Sequence, residues 1–374
     1  MERKTVCLNM IVKNEAHVIR RCLDSVRPLI DSWVIVDTGS SDGTQDVIRE
    51  SLKDLPGELF ERPWKDFGHN RTEALQLAKG RADYLLFMDA DDVADLPAGF
   101  RLPALTSDAY RVTILHSEIT YVRVLMVSTA RNWRYIGVMH EVIQCDGVFS
   151  RGHLDGLKVK YGGTPSGRSA DGLQEKSARD AEILERALVD EPGNARYVFY
   201  LAQSYRDAGQ VEKSLEAYER RATMGGFEEE VFYSLFEAAR LTRKLKHGKD
   251  EVIGRFLRAY EYRPSRAEPL GELAAYLRME GEHWPLAFLF ASRAIELPVP
   301  PADVLLIDHR WYDWGCLDEY AVATFFVGEF FESQWACEKI LACPTLPPEH
   351  RVRVLQNLNC ALGKQGLPLV NAGA

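Results

Sequence analysis

The chain has 374 residues, 46% hydrophobic and 27% charged, with 27 Gly and 17 Pro. Those proportions exclude collagen-like and wholly disordered chains, and the length predicts two domains, each burying its own core. A formal charge of −9 argues against a mainly electrostatic nucleic-acid binder, because phosphate attraction needs a basic surface; a local basic groove stays open. Apolar runs fall far short of the ~20 residues that cross a bilayer. Residues 6–12 are too short, and too soon broken by Asn9, for the apolar core of a signal peptide. The seven cysteines are scattered, with no C-x-x-C pair. They read as free thiols in a reducing cytoplasm rather than as a disulfide frame or zinc site.

In chain order, the first ~165 residues alternate between strand-like and helix-like stretches, a spacing that predicts a mostly parallel sheet covered by helices. Residues 6–12 read as a strand and 15–29 as a helix, with Val18, Cys22, Leu23 and Val26 on one stripe. Residues 33–36 form a second apolar strand, followed by the turn-rich run Asp37 to Thr44. A helix is expected over 45–52, capped by Ser41 or Asp42. Residues 58–60 suggest a third strand, and 71–79 a helix stopped by Gly80. Residues 84–88 are continuously apolar, as a buried parallel strand should be. Residues 110–115 and 121–127 read as later strands, antiparallel in character.

After the Gly/Ser/Pro-rich stretch 162–167 the pattern turns helical. The expected division is 1–165 and 166–374. A 34-residue register starting at Ala195 places Leu201, Ala202, Tyr205, Gly209, Ser214 and Tyr218 at the positions of a tetratricopeptide repeat. Leu273, Ala274, Leu277, Gly281, Ala287 and Ala294 echo it. Small residues let paired helices approach, and glycine makes the turn between them. The acidic excess lies here: residues 1–165 carry −2, the remainder −7. The aromatics Tyr197, Phe199, Tyr200, Tyr205, Tyr218, Phe232, Tyr233 and Phe236 read mostly as core. Trp311-Tyr312-Asp313-Trp314 reads as a core cluster or, alternatively, as a platform for sugar or peptide.

Chemistry concentrates at strand ends. Asp89-Ala90-Asp91-Asp92 follows an apolar strand, and three carboxylates in four residues need solvent or a cation. At the carboxyl end of a parallel strand they border the ligand crevice of such sheets. Hard oxygens suit Mg²⁺ or Mn²⁺ bridging to substrate phosphates; the plain alternative is a solvated turn. Asp37 ends an earlier strand and could accept from a nucleobase or a ribose hydroxyl. Lys13, Asn14 and Glu15 close the first strand at the same edge. Arg71 could pair with a diphosphate. In His140-Glu141 an imidazole could bind metal and a carboxylate could take a proton. Each of these has a structural alternative in isolation; together they point to a nucleotide–metal site.

Three linked motifs carry a family resemblance: residues 7–15, which end in Lys13-Asn14-Glu15; Val36-Asp37-Thr38-Gly39-Ser40-Ser41-Asp42-Gly43-Thr44; and Met88-Asp89-Ala90-Asp91-Asp92. In order and spacing they resemble glycosyltransferase family 2. With the 137–141 segment and the helical repeats, the chain resembles the bacterial and phage branch carrying tetratricopeptide repeats behind the transferase. The resemblance implies a GT-A fold, a Rossmann-like α/β domain followed by an all-α array. It further implies that Asp37 contacts uracil or ribose, that Asp89 lies against the ribose and that Asp91 holds the metal through the diphosphate. Asn14 and Glu15 would line the nucleotide pocket, with Arg71 near the donor. His140 or His153 would supply a further metal ligand. Glu141, and after it Asp92, would be the base of an inverting transfer.

The expected function is metal-dependent transfer, using Mn²⁺ or Mg²⁺, of a sugar from a nucleoside diphosphate, most readily UDP, to a hydroxyl. The acceptor class stays open among protein, glycan and modified nucleic acid. The array is expected to orient the acceptor or a partner protein, or to join two copies. An interaction scaffold with an inert sugar-nucleotide domain, and a transferase acting on a hydroxylated DNA base, are the competing readings.

Overall fold

The structure is a computed structural model that describes residues 3–116, 119–161 and 172–370. The stretch 162–167, expected as the linker, lies outside the described residues. The chain forms two compact units, Met1–Gln210 and Val211–Ala374.

The first unit is built on a mixed sheet. Its parallel half comprises β1 (Val6–Val12), β2 (Ser32–Asp37), β3 (Gly57–Glu61) and β4 (Tyr84–Phe87). These lie in the order β3-β2-β1-β4, with Val12 beside Asp37 and Asn9 beside Phe87. β1, β2 and β4 are buried almost throughout, which is why they read as unbroken apolar runs. All four strands point their carboxyl ends to one edge, and the order reverses between β1 and β4.

The sheet continues through β7 (Ile119–Ser128), β6 (Ala109–His116), β10 (Arg151–Tyr161) and β5 (Asp92–Asp95). β7 is antiparallel to both β4 and β6, as expected; β10 is parallel to β6 and antiparallel to β5. β8 (Trp133–Ile136) and β9 (Val142–Cys145) form a separate ribbon. β5, β8, β9 and β10 lack a strong sequence signal. The four-residue length of β5, β8 and β9, and the Gly156 bulge in β10 at φ +87°, leave too little alternation for strand prediction.

The helices begin where backbone groups find partners. α1 (Ile19–Val26) is shorter than the expected 15–29. The Glu15 carbonyl accepts from Val18 and Ile19 in a preceding turn, and a short 3₁₀ turn over 27–29 follows. α2 (Thr44–Ser51) starts after Gly43 at φ +90°, with no side-chain cap. Neither Ser41 nor Asp42 is its N-cap residue; Asp42 instead accepts from Thr44 N at 3.0 Å and Ala16 N at 3.0 Å. α3 (Phe67–Ala78) begins four residues earlier than expected, because Asp66 caps it by accepting from His69 N at 2.7 Å. It packs on β1, β2 and β8.

α4 (Leu173–Asp190) and α5 (Ala195–Asp207) pack against each other and belong to the first unit. The second unit contains α6 (Val211–Thr223), α7 (Glu228–Lys244), α8 (Lys249–Tyr262), α9 (Glu268–Glu280), α10 (Trp284–Ile295), α11 (Cys316–Val327), α12 (Phe330–Ala342) and α13 (Pro348–Lys364), each packed on the next. Gly209 and Gly281 take φ +77° and +76° after α5 and α9, the left-handed turns that the repeat register requires. Leu273, Ala274, Leu277, Ala287 and Ala294 are buried. Trp311 and Trp314 are core: a Cβ on Gly271 would lie 2.4 Å from the Trp311 ring. Among the described residues no helix is long and apolar enough to cross a membrane, and all seven cysteines are free.

Candidate functional site

The strand ends of the parallel half build a hydrogen-bonded rim. Thr38 donates from its amide and its hydroxyl to the Val12 carbonyl, at 2.9 and 3.1 Å. Asn14 sits at φ +58°, receives the Ser41 amide on Oδ1 at 2.9 Å, and donates its own amide to Ser40 Oγ at 2.8 Å. Glu15 N donates to Thr44 Oγ1 at 2.7 Å. The expected nucleotide-pocket residues Asn14 and Glu15 are therefore tied to the loop that follows Asp37.

Asp37 is fully buried. Its Oδ1 accepts from the Gly39 and Ser40 amides at 2.9 and 2.8 Å, folding the loop over it. Its Oδ2 is buried with no partner among the described residues. Leaving a buried carboxylate oxygen unsatisfied costs about 1–3 kcal/mol, so this oxygen has room for one more donor.

Beside it, the end of β4 carries the acidic run, and Asp92 N returns to the Asp89 carbonyl at 3.1 Å to start β5. Asp89 is bound by two arginines: Arg71 of α3 at 2.5 Å and Arg123 of β7 at 3.2 Å. Arg71 Nε also lies 2.5 Å from Glu141 Oε1, and its guanidinium stands 5.8 Å over the Tyr135 ring. Arg71, Asp89 and Glu141, far apart in sequence, are thus brought together. Burial opposes the charge on Asp89, but Arg71 and then Arg123 outweigh it and hold the carboxyl well below its usual range. Burial likewise opposes the charge on Arg71, and Asp89 and Glu141 overcome it. Asp92 goes the other way: burial, then repulsion from Asp89, pushes its carboxyl up to about 7.

Asp91 is half-buried, and no ion pair or hydrogen bond engages its carboxylate among the described residues; Arg21 binds only its backbone carbonyl, at 3.4 Å. This donor set suits a cation that keeps waters and substrate oxygens around it, not one caged by protein. Among the described residues no three His, Cys, Asp or Glu side chains gather to hold a metal. His153 contacts Asp155 at 3.0 Å and Thr113 at 3.3 Å. It lies eight residues along β10 from Tyr161, the partner of Asp92, which is roughly 25 Å at a strand's rise per residue. The His140 ring is stacked on Tyr200, centroids 3.8 Å apart. The structure does not bring either histidine together with Asp91 in a ligand cluster.

Sequence reasoning missed Arg123 and Tyr135. Arg123 had a visible sign, a lone charge at the centre of the apolar strand ITYVRVLMVS. Tyr135, on an isolated ribbon, had none.

Residues 7–97 match the family model described as glycosyl transferase family 2, a span that contains Asp37, Arg71, Asp89, Asp91 and Asp92. Over 271 residues the chain is 26% identical to a TPR repeat-containing protein of Synechococcus elongatus, covering 68% of this chain and 66% of that one. It is 24% identical to the SPbeta prophage-derived glycosyltransferase SunS of Bacillus subtilis, covering 57% and 52%. The chain thus spans about half to two thirds of these relatives' lengths. The solved structure of YrrB, a TPR protein, gives a TM-score of 0.38 at 16% identity, covering 50% of this chain and 85% of that one. The chain is thus similar to glycosyl transferase family 2 over 7–97, from β1 through β5, and over most of its length to a TPR repeat-containing protein.

Proposed function

We propose that this protein transfers a sugar from a nucleoside diphosphate, with UDP favoured, to an acceptor hydroxyl, with inversion at the anomeric carbon. One observation carries the reading. At the carboxyl end of β2, Asp37 keeps a buried oxygen that no described residue engages, and at that of β4 the acidic run carries Asp89, held by Arg71 and Arg123, and the half-buried Asp91. An inert scaffold would have no use for the buried Asp37 oxygen, which is a cost without a partner; Asp91, half-buried, is open to solvent and cation.

In this reading Asp37 Oδ2 accepts from the base or the ribose, and Asn14 and Glu15 shape the wall of that pocket. Asp91, with donor oxygens and water, would hold Mn²⁺ or Mg²⁺, which supplies charge neutralisation for the departing diphosphate. Arg71 and Arg123 keep Asp89 ionised and fixed, and Arg71 offers guanidinium N–H groups toward the diphosphate. Glu141 takes the proton as the acceptor oxygen bonds to the anomeric carbon. The bond from that carbon to the phosphate oxygen breaks, and its electrons leave on the diphosphate. A second reading gives the proton to Asp92, since a carboxyl near pH 7 suits proton transfer at neutrality. His140 and His153 have no part in either.

The array is the natural candidate to orient a protein or glycan acceptor, or to join two copies, and we place the protein in the cytoplasm. The net charge of −9 disfavours a DNA acceptor. The test is thermal stabilisation by a panel of UDP-, GDP- and TDP-sugars with and without Mn²⁺, followed by hydrolysis assays on the hits. A metal-dependent rise with a UDP-sugar, lost in Asp91→Asn, is the expected result; no response to any member leaves the scaffold reading.

A further inference from the structure

The loop that delivers Glu141 is bent in a way it would not hold by itself. Gly137 takes φ +114° and His140 φ +49°. A non-glycine residue in the left-handed region costs about 1–2 kcal/mol, so the surroundings must impose the bend. On one side the first turn of α3 closes against it: a Cβ on Gly68 would stand 2.6 Å from the Gly137 carbonyl oxygen.

On the other side the grip comes from α5. Asn194 caps this helix by accepting from Tyr197 N at 3.1 Å, and its first two turns then carry three contacts. Arg196 donates from Nε and Nη2 to the His140 carbonyl, at 3.1 and 3.0 Å. Tyr197 OH accepts from Val138 N at 3.2 Å. The Tyr200 ring stacks on His140 at an interplanar angle of 9°, and Arg196 in turn lies 4.9 Å over Tyr200 and donates to its hydroxyl at 3.1 Å. The spacing of four residues puts Arg196 and Tyr200 on one helix face. Every one of these contacts with the loop ends on the three residues just before Glu141.

We propose that Arg196, Tyr197 and Tyr200 are positioning residues for Glu141, so that the first two turns of α5 support the site and the smallest active unit extends to about residue 210. The proposal rests on the transferase reading above. It adds that helical residues outside the family-matched span 7–97 set the rate of transfer without touching the donor. A loop freed from α5 relaxes its left-handed residue and carries Glu141 off its pairing with Arg71. Misplacement by about 1 Å costs on the order of 10²-fold in rate.

The experiment uses the full chain and the variants Arg196→Met, Arg196→Lys and Tyr197→Phe. Tyr205→Phe serves as control, because its hydroxyl contacts Glu185 on α4. Amide exchange at residues 138–141, UDP binding with Mn²⁺ by calorimetry, and turnover of the sugar nucleotide used by the wild type are read together. Arg196→Met is expected to speed exchange at 138–141 but not in β1, β2 or β4, to lower kcat about 10- to 100-fold, and to leave UDP affinity within about twofold. Arg196→Lys should restore part of the rate, Tyr197→Phe should show a smaller loss of the same kind, and the control should behave as wild type. Unchanged exchange at 138–141, or faster exchange with unchanged kcat, overturns the proposal. A wild type that binds no UDP and turns over no sugar nucleotide overturns the transferase reading instead, while the exchange data still judge the grip of α5.

Discussion

Each unit holds a cluster of buried charge, and the two are finished differently. In the second unit Arg266 and Glu268 are almost wholly buried and pair at 2.6 Å. Asp303 bridges Arg263 at 2.5 Å and Arg266 at 3.3 Å. Tyr312 donates to Glu268 at 2.6 Å, and Glu229 receives the Val304 and Leu305 amides at 2.8 and 2.7 Å. Every charge there ends on a partner, and the result is a loop pinned to α7 and α9. At the sheet edge of the first unit the network stops short: Asp37 Oδ2 is buried without a partner among the described residues, and burial with repulsion from Asp89 raises the Asp92 carboxyl. Completed networks stabilise, whereas an unfilled buried acceptor is a cost that a ligand would remove.

That contrast can be broken at either end. The largest expected effect is in the complete cluster. Arg266→Met leaves Glu268 and Asp303 buried and under-paired, and should cost about 3–5 kcal/mol of stability in a denaturant titration. Turnover per folded molecule should stay as in the wild type. Next comes the incomplete cluster, with the opposite signature. Asp91→Asn should cut metal-dependent transfer by about 10²–10³-fold and leave the melting temperature unchanged, since no described residue leans on that carboxylate.

A smaller effect is a pH dependence. The Asp92 carboxyl, ordinarily near 3.8, is raised to about 7 by burial and then by Asp89. Between those values the unfolded chain has released the proton and the folded one keeps it. The contribution of Asp92 is therefore complete below about pH 4 and is lost as pH rises through about 7. Asp89 has the opposite sign, because Arg71 and Arg123 overcome its burial and lower its pKa; its contribution is present above the usual carboxylate range and lost on acidification. Melting curves should show Asp92→Asn flattening the decline between pH 4 and 7 without moving the acid limb. The smallest effect belongs to an exposed pair: Arg20→Ala, which breaks the surface contact with Glu50 at 2.7 Å, should leave the denaturant midpoint as in the wild type.

How legible each part was follows the same physics. β1, β2 and β4 are buried on both faces and read plainly from their apolar runs. β5, with the sequence DVAD, shares its residues with the acidic tip and reads as a turn. The candidate site was legible as residue types: Asp37, Asp89 and Asp91 stood out at strand ends, Arg71 at the start of a helix and Glu141 beside His140. Their pairing was not, because nothing in spacing says that Arg71 would reach both Asp89 and Glu141. Tyr197 and Tyr200 passed as core aromatics. Tyr197 is indeed buried, yet its hydroxyl, like the Tyr200 ring, serves a loop some sixty residues away in sequence, a use that helical periodicity does not encode.

In the proposed function Asp37 meets a nucleoside diphosphate and Asp91 a divalent cation. Titrating UDP into the wild type, Asp37→Asn and Asp91→Asn by calorimetry, with and without Mn²⁺, tests it most directly. The account predicts binding to the wild type that strengthens with Mn²⁺, loses its Mn²⁺ dependence in Asp91→Asn, and weakens in Asp37→Asn whether or not Mn²⁺ is present. UDP that fails to bind the wild type, or binds all three proteins alike, would contradict it.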